Sequence, residues 1–219
     1  MISISFPLTF LALPIIGLPT NSYYNKEISM KKLALAVALS VASAGAFAAA
    51  PAWDFVQGSY VITDFDESDF SYEPDGFAFS GSKLVTDDVF VTAEYSMQED
   101  DILGIDVDLD MLTVGLGYRY AWSEKTDLFG IVSYEDVELS GSGQSADEDG
   151  FGLTAGVRSM VTDNIEVRGA VKYIDLDEDD DTSVLVGADY FLSPMFAVGL
   201  SYETSDDLST FGINARYNF

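Results

Sequence analysis

Apolar and polar side chains exchange places at every second residue in segment after segment of this chain. No stretch beyond Pro51 sustains the 3.6-residue period of a helix. The last segment, FGINARYNF, puts Phe211, Ile213, Ala215, Tyr217 and Phe219 on one parity and Gly212, Asn214, Arg216 and Asn218 on the other. A strand built this way has one greasy and one polar face, and the greasy face must meet either a core or lipid. The choice between those two environments decides the fold.

Ten such segments run over about residues 53–63, 75–85, 89–98, 109–122, 126–138, 149–161, 165–176, 182–192, 196–204 and 209–219. Most are near the length a tilted strand needs to cross a bilayer. Two kinds of connection alternate between them. Thr86-Asp87-Asp88, Ser123-Glu124-Lys125, Thr162-Asp163-Asn164 and Ser193-Pro194-Met195 are tight. The other five, at 64–74, 99–108, 139–148, 177–181 and 205–208, hold nineteen Asp and Glu and no Lys or Arg. Short turns at one end and long acidic loops at the other predict an all-β fold. It is a single transmembrane antiparallel up-and-down β-barrel of ten strands, with eight as the alternative. Tyr95, Tyr134, Tyr173 and Tyr202 fall below the acidic loops, and Trp53, Tyr120, Trp122, Phe191, Phe196, Tyr217 and Phe219 toward the tight turns. Two aromatic girdles at the membrane interfaces are expected there, although soluble sandwiches are also rich in aromatics.

Parity also sorts the charges. Leu112, Val114, Leu116, Tyr118, Tyr120 and Trp122 share one face, leaving Thr113, Gly115, Gly117 and Arg119 on the other. By the same rule Glu94, Glu135, Arg158, Glu166, Arg168, Lys172, Asp189, Glu203 and Arg216 point inward with Arg119, while the first, second and fifth segments are ambiguous. Five acids and five bases on one face would be out of place in the apolar interior of a sandwich. They suit a lumen. The ten read either as a network of ion pairs filling the barrel or as a selectivity lining.

Ahead of the strands, residues 30–50 read MKKLALAVALSVASAGAFAAA: two lysines, an apolar run and the Ala46-Phe47-Ala48 motif of a secretory signal peptide. Cleavage after Ala48 would leave the barrel domain at 49–219, with 30–48 as the signal. Residues 1–29 carry an apolar run broken by Pro7, Pro14 and Pro19 and read as an upstream extension; a second membrane anchor is the alternative. A net charge of −27 excludes nucleic acid as a partner, since phosphate binding requires a basic face. The chain has neither His nor Cys, which removes the usual nucleophile pairs and most metal centres. No catalytic residues and no cofactor are expected, and the role reads as non-enzymatic. Asp177, Glu178, Asp179, Asp180 and Asp181 could bind divalent cations weakly and bridge to lipopolysaccharide phosphates. The run lacks the Gly and Glu of an EF-hand, and a solvated loop is the plainer reading.

The signal peptide, the alternating chain and the terminal ARYNF resemble the small outer-membrane β-barrel proteins of Gram-negative bacteria, the porin-like and OmpA-barrel-like group. WDFVQGSYV, DGFAFSGS and LTVGLGYRYAWSEKTDLFGIVSYE are similar to an outer-membrane family that has carried a quorum-sensing or secreted-elicitor label. Nothing in the residues speaks for signalling. The resemblance implies an outer-membrane location, contact with outer-membrane lipid and lipopolysaccharide, and handling by periplasmic chaperones and the assembly machinery. It also implies that Ile213, Tyr217 and Phe219 form the signal that machinery reads. The expected role is structural or surface-interacting, through acidic external loops, with a narrow cation-preferring channel as the alternative.

Overall fold

The computed structural model describes residues 50–67, 70–102, 105–141, 144–176, 180–206 and 208–219. The expected signal peptide at 30–48 and the upstream extension at 1–29 lie outside them. Among the described residues eleven strands follow one another: β1 (Phe55–Glu67), β2 (Phe70–Tyr72), β3 (Asp75–Leu84), β4 (Val89–Ile102), β5 (Ile105–Ser123), β6 (Thr126–Gly141), β7 (Gln144–Thr162), β8 (Ile165–Leu176), β9 (Asp180–Phe191), β10 (Phe196–Thr204) and β11 (Leu208–Asn218). The three-residue β2 pairs only with the far end of β1, so ten staves make the wall. Each is antiparallel to its chain neighbour. The sheet closes where β1 meets β11 in an unbroken register from Phe55↔Asn218 to Phe65↔Leu208. Closure leaves no wall strand with an unpaired edge, as a barrel in lipid requires.

The outward face is a continuous apolar band. Phe77, Phe79, Leu116, Tyr118, Val132, Leu153, Leu200 and Ile213 are each exposed by about half their surface. In water such a face would be an aggregation hazard; against acyl chains it is the stabilising contact.

The staves are longer than the alternation suggested. β5 and β7 have 19 residues each. At about 3.3 Å per residue and a tilt near 40° such strands climb roughly 48 Å, about twice the ~25 Å apolar band of an outer-membrane barrel. The excess lies at the acidic end, so most of the expected acidic loops are strand. Glu99 pairs with Asp108, Asp101 with Asp106, Glu138 with Asp147, and Asp136 with Asp149. High acid content hid the strands because carboxylates have low β-propensity and read as breaks. Asp180 and Asp181 likewise open β9 on opposite faces, while Asp177, Glu178 and Asp179 lie outside the described residues.

The tyrosines stand at the change of surface. The Tyr95 hydroxyl donates to Asp110 at 3.1 Å, that of Tyr134 to Asp136 at 3.4 Å, and that of Tyr60 to Asp75 at 2.5 Å. Above this line the wall inverts. Outside come Asp106, Asp108, Asp110, Asp136 and Glu138; inside, on the same strands, come Leu109, Met111, Val137 and Leu139. Two members of the expected lower girdle are not in it. Trp53 precedes β1 and is buried within the barrel, and Phe191 faces the lumen beside Arg216.

Candidate functional site

The lumen falls into two halves of different chemistry. At the tight-turn end the chain before β1 bends into the barrel mouth, and Trp53 stacks against Phe90 at 4.4 Å and edge-on against Phe129 at 5.5 Å between ring centroids. Its indole N–H donates to Asp127 at 2.7 Å, and Asp127 also accepts from Arg119 at 3.2 Å. Phe90 lies flat over Gly117, where a Cβ would sit inside the ring's own volume, so only glycine admits it. The guanidinium of Arg158 covers Trp53 at 4.5 Å, and that of Arg216 covers Phe55 at 4.0 Å. Both donate to the carbonyl of Ala52, at 2.9 and 2.5 Å, which fastens the incoming segment to β7 and to β11.

Glu166 stands at the centre of the next layer with no solvent exposure. Arg158 reaches it at 2.7 Å from β7 and Arg216 at 3.2 Å from β11. Arg216 approaches Asp189 at 3.7 Å, and Asp189 also pairs with Arg168 and accepts from Asn214 Nδ2 at 2.7 Å. Three arginines, two carboxylates and an amide thus join β7, β8, β9 and β11 across the lumen. Glycine makes the room: a Cβ on Gly199 would fall within the Asp189 carboxylate. Charges this buried must be paired to persist, and breaking one pair strands its partner.

Of the ten expected inward charges, Arg158, Glu166, Arg168, Asp189 and Arg216 lie in this layer and Arg119 lies beside it. Lys172, Glu135, Glu94 and Glu203 lie nearer the acidic end. Glu135 accepts from Thr113 and Ser133, both at 2.6 Å, and from Lys172 at 3.0 Å. Glu203 accepts from Ser183 at 2.5 Å. Glu94 faces open space and makes no hydrogen bond or ion pair among the described residues. Parity did not select Asp127 or Trp53. The fifth segment mixes Asp127, Phe129 and Ile131 on its inner face, so its alternation carries no clear sign, and Trp53 precedes the first strand.

Above Glu94 and Glu135 the lumen widens into a cavity of about 170 Å³ whose walls include Leu109, Met111, Leu139 and Leu176. At the opposite rim, outside the wall, Lys83 Nζ pairs with Asp54 at 2.7 Å. That bond and the Leu84 backbone N–H hold the Asp54 carboxyl below its ordinary value. Of the expected weak cation run, only Asp180 and Asp181 are among the described residues. Among the described residues no group of three or more acidic side chains is arranged to hold a metal ion.

The family model described as outer membrane protein beta-barrel domain matches residues 34–191. No curated protein matches the chain. Among solved structures, Ail, the attachment invasion locus protein of Yersinia pestis, is similar at 16% identity and a TM-score of 0.41, over 76% of this chain and 97% of that one. The translocator domain of the autotransporter NalP from Neisseria meningitidis shows 10% identity and a TM-score of 0.45 over 87% and 95%. OprG from Pseudomonas aeruginosa shows 12% and 0.43 over 78% and 98%.

Proposed function

The chain belongs to the outer membrane β-barrel domain family, and from that premise we propose that it is a non-enzymatic outer-membrane barrel with a closed lumen. It is exported by its N-terminal signal and acts through the acidic skirt it raises above the membrane. Its partners there are cations, the anionic phosphates of lipopolysaccharide bridged through divalent cations, and surface molecules of positive charge. The observation that carries this reading is the layer around Glu166. A side chain with no exposure, held by arginines from β7 and β11 with Trp53 packed beneath, supports a lumen closed at this level rather than a channel. A selectivity filter needs charges that an ion can reach, whereas these are satisfied by one another.

The test is conductance across a planar lipid bilayer in a salt gradient. The wild-type barrel, its fold checked by heat-modifiable electrophoretic mobility, is expected to be silent. Trp53→Ala combined with Arg158→Ala, which removes the indole and one arm of the layer, is expected to give discrete cation-selective steps. Steps from the wild type would favour the second reading, a narrow cation channel. The unpaired Glu94 and the acidic mouth speak for it, since both concentrate cations at the entrance.

A further inference from the structure

The upper half of the lumen is built unlike the lower. Leu109 and Leu176, though at the watery end of the barrel, are 4% and 8% exposed, and with Met111 and Leu139 they line the inner wall. The same strands carry their carboxylates outside. A structural strand extension needs acids facing water, but it does not need an apolar hollow on its inner side, which is ordinarily filled by side chains. Here about 170 Å³ stays open above the floor formed by Glu94, Glu135, Lys172 and Glu203. That volume is similar to the ~150 Å³ of an apolar protein cavity able to hold a benzene molecule.

The floor decides the charge of the occupant. Lys172 is neutralised by Glu135 at 3.0 Å, and Glu203 holds the Ser183 hydroxyl. Glu94 projects into the hollow with no partner among the described residues. The three carboxylates of the floor, with Glu148 and Asp181 also on the cavity wall, outnumber the one ammonium and repel an anion, and a neutral ligand would leave Glu94 desolvated and unpaired. An ammonium on an apolar body answers both demands.

We propose that this cup is a binding site for a small organic cation, an amine carrying one ring or a short alkyl body. The body fills the space between Leu109, Met111, Leu139 and Leu176, and the ammonium donates to the Glu94 carboxylate. The site opens to the exterior and is blind below, which rests on the closed-lumen reading; binding itself requires only the cup.

The test uses the barrel purified from outer membranes and placed in zwitterionic lipid nanodiscs. Titration calorimetry with 2-phenylethylamine, phenylacetate and ethylbenzene compares one body with a positive, a negative and no charge. Saturable one-to-one binding of the amine is expected, with no binding of phenylacetate. Glu94→Gln should weaken the amine at least about tenfold, as loss of a charge-assisted hydrogen bond does. Ala146→Phe, which fills the cup from the wall of β7 while sparing every charge, should abolish it. Equal amine binding by wild type, Glu94→Gln and Ala146→Phe would place the amine in lipid or on the acidic skirt and overturn the proposal. So would no saturable binding by a barrel of folded mobility. Wild-type conductance that the amine blocks would overturn the closed lumen and leave the cup standing, whereas silence without binding would sink the cup alone.

Discussion

Glu166 and Lys83 show how little the word salt bridge says without its surroundings. Glu166 is wholly buried between Arg158 and Arg216, and its removal leaves two guanidiniums facing each other in a desolvated lumen. Glu166→Ala should therefore cost on the order of 3–5 kcal/mol. Lys83 pairs with Asp54 at a similar distance, but its side chain is 54% exposed, so Lys83→Ala should cost about 1 kcal/mol or less. Urea unfolding of both variants in lipid vesicles separates the two. Equal losses would mean that the buried layer around Glu166 does not hold the lumen together. Removing the whole layer in favour of well-packed apolar side chains is a different experiment, because such replacements are frequently neutral.

At the scale of elements, β11 has two tasks. It closes the wall against β1 over eleven paired positions, and it carries the outward residues Ile213 and Tyr217, with Phe219 directly after its end. Phe219 is 57% exposed, lies 6.4 Å from Tyr217 ring to ring and carries Lys83 Nζ over its face at 4.9 Å. As part of an assembly signal it should matter during biogenesis. Phe219→Ser is expected to lower the amount of barrel recovered from outer membranes several-fold while leaving detergent-refolded barrel intact. Unchanged recovery would remove the signalling role of the terminal aromatic. The ten staves were legible because lipid outside and charge inside impose opposite demands on alternate residues, and the membrane-level parts of β5 and β8 show those demands plainly. Their upper ends were not legible. Once a strand leaves the membrane its outer face turns acidic, so Asp106, Asp108 and Asp110 look like a loop although the inner residues continue the two-residue period. Trp53 was misplaced for another reason: an aromatic near a tight-turn end suits a girdle and a plug equally, and only the partners Asp127 and Arg158, distant in sequence, tell them apart.

The whole molecule is a charged skirt on an apolar cylinder. On the skirt like charges stand directly opposite one another, in rows such as Asp75, Glu99 and Asp108, or Asp110, Glu138 and Asp147. Facing carboxylates are destabilising and, being exposed, are screened by salt. The temperature at which the barrel loses its folded electrophoretic mobility should therefore rise between about 0.05 and 0.5 M sodium chloride, as the Debye length shrinks from roughly 14 to 4 Å. A falling midpoint would mean that the lumenal pairs, not the skirt, set the electrostatic balance. The inversion of the wall at the tyrosine line also fixes the barrel in depth. To sink by one pair of residues it would have to carry Asp110 and Asp136 into hydrocarbon, and to rise by one pair it would have to lift a ring of leucines and valines into water. Neither displacement is balanced by a gain elsewhere on the same strand. The protein is thus moored along the membrane normal like a hull with a painted waterline, and a thicker or thinner membrane must bend to meet it.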